Sequence, residues 1–87
     1  MSHARGPFRD VQEFTDFSSD IDLTSAANPE GARHIFIIDA GAGAISFVTG
    51  AGQTRVITGF IDGNEIEMFF TRINSVGTTV TRVVVGF

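Results

Sequence analysis

The chain has 87 residues, 43% of them hydrophobic, and a net charge of −4 with no Cys, Trp, Tyr or Lys. That length supports a single domain with a small core, and the absence of Cys excludes disulfide staples and Cys-based zinc sites, so self-association is the expected supplement to stability. All the net charge lies in residues 1–32, where Asp10, Glu13, Asp16, Asp20, Asp22 and Glu30 face only Arg5 and Arg9, whereas residues 33–87 are balanced; with no cationic cluster to displace phosphate counterions, nucleic acid is excluded as an expected partner.

Residues 1–18 form the first unit. They contain Gly6-Pro7 and the scattered Phe8, Phe14 and Phe17 among acids and serines, with no clean period. A disordered tail and an extended N-terminal arm both fit this composition. The three phenylalanines favour the arm, because leaving each ring in water is unfavourable by about 1.5–3 kcal/mol relative to burial. A neighbouring subunit is the expected source of the groove.

Residues 19–87 form the second unit. Asp20-Ile21-Asp22-Leu23 reads as a short strand, and Asn28-Pro29 marks a turn. Five further strands are expected at 33–39, 44–49, 54–58, 65–72 and 79–85, each rich in β-branched and aromatic residues. Ile35, Phe36, Ile37 and Ile38 run without alternation, which predicts a strand covered on both faces at the centre of the core. Ala40-Gly41-Ala42-Gly43 and Gly50-Ala51-Gly52 sit at hairpin spacing, so residues 33–58 read as a meander, and Asp62-Gly63-Asn64 reads as the next hairpin turn. In the strand that follows, Ile66, Met68, Phe70 and Arg72 are expected to point inward, and Glu65, Glu67, Phe69 and Thr71 outward. The last strand carries apolar groups on both faces. Val83, Val85 and Phe87 therefore join Phe8, Phe14 and Phe17 as the expected interface residues. The fold class is all-β: a small antiparallel β-sandwich or flattened barrel preceded by an arm.

Candidate chemistry is sparse. The glycines after Asp39 lead into a strand rather than a helix, so they read as a turn and not a phosphate cradle. Asp62-Gly63-Asn64-Glu65 and Ser19-Asp20-Ile21-Asp22 each offer too few oxygens for Ca²⁺, and their side chains are expected to bond nearby backbone instead. His34, on an apolar strand, reads as a satisfied core or rim histidine; Glu65 and Glu67 read as solvated neighbours. No catalytic set, metal site or cofactor is expected. There is neither a run of about 18 apolar residues nor a signal-peptide pattern, so a soluble chain made in the cytoplasm, with no membrane partner, is expected.

The order of short motifs carries a resemblance. Ser19-Asp20 with Asp22-Leu23, Ala32-Arg33 opening an apolar strand, a Gly-rich turn, and Arg72-Ile73 with Val76-Gly77-Thr78-Thr79-Val80-Thr81 before an apolar end together resemble the capsid spike-base proteins of tailed bacteriophages and phage-like gene transfer agents. Val76, Val80 and Glu67 depart from that pattern, standing where family members carry Thr, Ala and often Pro. The resemblance implies a small β-sandwich, made in a bacterial host, that forms homo-oligomers on a virion surface. It would decorate or cement the major capsid protein or seat a spike or fibre protein, without catalytic residues. A tail or fibre-adaptor protein that meets the host, and a carbohydrate-binding module, are the alternatives.

Overall fold

A computed structural model describes residues 8–87. Seven strands run in chain order: β1 (Val11–Phe14), β2 (Ile21–Asp22), β3 (Ala32–Asp39), β4 (Ile45–Thr49), β5 (Thr54–Ile57), β6 (Glu65–Asn74) and β7 (Arg82–Gly86). They join in one antiparallel sheet of order β1-β7-β3-β6-β4-β5, with β2 paired to β6. The fold is all-β, as the alternation of β-branched and polar residues predicts.

The ten-residue β6 organises the molecule. Its first half pairs with β3 (Phe36 opposite Glu65, Ile35 opposite Ile66) and its second half with β4 (Phe47 opposite Ile73, Ser46 opposite Asn74). β2 continues the β3 edge of β6, with Ile21 opposite Ile73. The register slips against both neighbours, between Ala32 and His34 on one side and between Val48 and Thr49 on the other. Such bulges bend and twist a strand, and here the sheet folds over on itself. The rings of Phe47 on β4 and Phe70 on β6 meet edge-on with centroids 4.9 Å apart. Around them pack Leu23, Ile35, Ile37, Ile45, Ile73, Val80, Val83 and Val85, drawn from both halves of the folded sheet. The bulge also explains a departure from strict alternation. Phe70 and Ile73 are both buried while Met68 and Arg72 are exposed, so the expected inward set of Ile66, Met68, Phe70 and Arg72 holds only for Ile66 and Phe70.

The expected meander is not formed. β3 has β7 on one side and β6 on the other, so β4 is carried away from it. The small-residue loop after Asp39 is held by residues distant in sequence: Thr81 N–H donates to the Asp39 carbonyl at 2.9 Å and Thr79 N–H to that of Ala44 at 2.8 Å. Asp62-Gly63-Asn64 likewise does not close a β5–β6 hairpin. Gly63 N–H donates to the Ile37 carbonyl, and Ile37 N–H to that of Asn64, both at 2.8 Å. Only β4 and β5 form a hairpin. Hairpin spacing licenses a local pair, but Ile35 and Ile37 are fully buried only because strands from the far end of the chain flank them.

The double coverage of β3 holds only in part, since Ile38 is 41% exposed, and where it holds it has a specific source. Its core face presents Ile35 and Ile37, and its other face presents His34 and Phe36, whose rings stack 4.3 Å apart. Phe8 meets both edge-on, at 5.6 Å and 5.9 Å. The seat for Phe8 is Gly86, where an added Cβ would lie 2.8 Å from the ring.

Candidate functional site

The six residues expected at an interface are all used inside the chain. Val83 and Val85 are 0% exposed and belong to the core; the other face of β7 is what made them look available, and there Val84 is half-buried and Arg82 pairs with Glu13. Phe14, Phe17 and Phe87 are partly buried against the same core. Phe8 docks on His34 and Phe36 of its own sheet. The groove that receives the arm is therefore intramolecular. Its inner part is a strand: β1 pairs with β7 from Val11 opposite Gly86 to Phe14 opposite Val83. The sequence hid it, since Val-Gln-Glu-Phe is short and its two polar residues are adjacent, so no strand alternation announces it.

The uncovered apolar surface lies at the other end of the sheet. β5 pairs with β4 alone and all four of its residues are exposed. Register assigns the faces. Ile57 stands opposite Ile45, and Arg55 opposite Phe47, so both share the face that is core-forming on β4. Ile45 and Phe47 are at most 1% exposed, whereas Ile57 is 40% exposed because none of the described residues covers β5 there. On the opposite face Val56 is 58% exposed. Beside β5 runs a shallow, largely apolar groove lined by Thr49, Gly50, Ala51, Arg55, Met68 and Phe69. Met68 and Phe69 lie where the β3–β6 register slips, which turns both outward.

Polar side chains in the loops bond backbone amides, Asn64 within its own turn as expected but Asp62 and Asp20 across to segments distant in sequence. Asp62 accepts from Ala40 N–H at 2.8 Å, Asn64 from Ile61 N–H at 3.0 Å, and Asp20 from Ser75 N–H at 2.8 Å. No group of three or more metal-ligating side chains occurs among the described residues. Among them there is also no helix long and apolar enough to cross a membrane.

Asp22 accepts from both the hydroxyl and the N–H of Thr24, at 2.7 Å and 2.9 Å, and these bonds hold its carboxyl below the usual carboxylate range. Asp16 is lowered in the same way by Ser18. A lowered folded-state value stabilises the fold above the unfolded carboxylate value and loses that contribution as pH falls through the folded one. Thr24→Val is accordingly expected to move the Asp22 midpoint upward in an NMR titration; an unmoved midpoint would contradict the assignment.

One pairing was not legible beforehand. His34 is 0% exposed and its Nε2 lies 2.7 Å from Oε1 of Glu65, while Nδ1 has no hydrogen-bond partner among the described residues. The reading of His34 as a core histidine holds, but it is satisfied at Nε2 alone, and Glu65 is its partner there rather than a solvated neighbour of Glu67. Finding it requires the β3–β6 register, which no local pattern encodes. The pair sits beneath Phe8 and away from the grooves, which suits a structural contact. Comparison of the chain with protein-family models, curated proteins and solved structures gives no match.

Proposed function

We propose that this chain is a non-enzymatic structural protein of a bacteriophage-type particle, acting as a homo-oligomer that decorates or cements the capsid exterior or forms the base of a capsid spike. The order of motifs from Ser19-Asp20 to Val80-Thr81 supplies the particle context. The observation that carries the reading is the uncovered edge strand β5 with its apolar shelf: Val56, Ile57, Met68 and Phe69 are all at least 40% exposed. A sheet that leaves apolar residues on both faces of an edge strand is suited to being covered by another protein. Many weak copies of such a contact add up to firm attachment on a repeating lattice. In this role the major capsid protein lies beneath the oligomer and a spike or fibre protein above it.

The test is fractionation of particles from the cells that produce the chain. On a density gradient the chain is expected to sediment with intact particles and to be labelled on their outer surface by antibody under the electron microscope. Recovery only in the soluble fraction, with particles lacking it, would contradict the proposal.

A further inference from the structure

The sheet has two ends, and their chemistry differs. β5 ends one side; Thr49 N–H donates to the Gln53 carbonyl at 2.8 Å, and the alternation of an antiparallel ladder then turns the amides of Thr54 and Val56 away from β4. β1 ends the other side. Phe87 N–H donates to the Asp10 carbonyl at 2.9 Å, so the amides of Val11 and Glu13 point away from β7. Val11 is 53% and Val56 58% exposed, so each edge places an exposed valine at an outward-bonding position.

Charge selects how such edges pair. Residues 9–16, around β1, carry Asp10, Glu13 and Asp16 against Arg9, all exposed, and Glu13 is paired with Arg82 of β7, which leaves this edge with a small negative excess. Residues 49–57, around β5, carry Arg55 as their single charge. Across paired strands, like charges set opposite each other are destabilising and opposite charges are favourable. Two β5 edges would bring Arg55 against Arg55, and two β1 edges would bring acid against acid. A β1 edge against a β5 edge brings opposite charges together.

From this the geometry points to a head-to-tail contact in which the β1 edge of one copy of this chain adds to the β5 edge of the next, seating its acidic strand beside Arg55. Each copy donates one edge and accepts on the other, so the contact is heterologous and closes into a ring when the rotation between copies permits. Main-chain bonds along the paired edges supply affinity, and the valines and charges supply register. The assignment names the contact within the oligomer of the preceding reading.

The absence of Cys makes the test direct. Val11→Cys and Val56→Cys are made as separate variants, each at an exposed position, with circular dichroism verifying that each folds. They are oxidised alone and as a mixture at about 1 mM protein, a concentration that populates even weak contacts. The mixture is expected to give a dimer containing one of each variant, while neither variant cross-links alone. Adding Arg55→Glu to the Val56→Cys protein is expected to lower the yield about tenfold, as loss of a favourable charge contact and its replacement by repulsion. Cross-linking of either variant with itself as efficiently as in the mixture, no cross-link in the mixture, or a yield indifferent to Arg55→Glu would overturn the assignment. No particle is involved, so a negative result here leaves attachment to a shell standing, and a soluble chain that still cross-links in this pattern would fail only the particle reading.

Discussion

Gly31→Ala is expected to prevent folding. Gly31 precedes β3 with φ of +85°, and a Cβ built there would lie 1.8 Å from the carbonyl oxygen of Phe70, far inside any tolerable contact. The atom in the way is backbone, so no rotamer change relieves it; the start of β3 and the bulge of β6 must separate. The positive φ alone costs an alanine about 1–2 kcal/mol. Displacing the Ala32–Phe70 register adds loss of core packing around Phe70, which is 0% exposed, and rings of that kind contribute about 3–5 kcal/mol when removed. The sum rivals the whole stability of a domain this size, about 0.05–0.15 kcal/mol per residue. Gly59→Ala is the control, since Gly59 has φ of +86° with nothing within 4 Å of its added Cβ. It is expected to fold with a loss of about 1 kcal/mol. Equal thermal midpoints for the two variants, measured by circular dichroism, would show that the close approach of β3 to β6 is wrongly placed.

Removing residues 1–18 is expected to destabilise the body rather than merely free it from a partner. The truncation deletes β1, exposes the outer edge of β7, and uncovers His34 and Phe36 by removing Phe8. It also takes away Phe14 and Phe17, both partly buried against the core. Three half-buried phenylalanines account for about 3 kcal/mol at the usual value for apolar burial. At about 4–8 °C per kcal/mol for a domain of this size, the thermal midpoint falls by at least about 12 °C. Phe8→Ala alone is expected to produce part of this fall, and Gly86→Ala a similar part by pushing the Phe8 ring from its seat. A truncated protein as stable as the full chain would contradict an intramolecular arm.

How far the residues reveal this fold depends on how local each feature is. β3, β4, β5, β6 and β7 were legible because runs such as Ile35–Ile38 and Val83–Val85 have high strand propensity over several residues. The partial covering of both β3 faces was legible from the missing alternation. Strand neighbours were not. Hairpin spacing at Ala40–Gly43 predicted a β3–β4 pair, yet β3 lies between β6 and β7, and only long-range burial decides that. β1 was missed because Val11–Phe14 is four residues long and half polar; its pairing with β7 makes it a strand. Val83 and Val85, read as interface residues, lie in the core for a related reason. Apolar groups on both faces of β7 were read as facing a second subunit, but Phe8 and β1 of the same chain supply the cover. The true exposed strip was hidden because Thr54–Ile57 resembles any half-buried strand until its missing neighbour is known.

Residue-resolved amide exchange reads the proposed joining of copies through the free edges of β1 and β5. In the isolated chain the amides of Val11, Glu13, Thr54 and Val56 face outward, whereas those of Arg55 and Ile57 face β4 in the ladder. Raising the protein concentration is predicted to slow exchange at the four outward amides together, with little change at Arg55 and Ile57. Four outward amides that stay fast at every concentration, while slowing appears elsewhere on the surface or nowhere, would contradict the account.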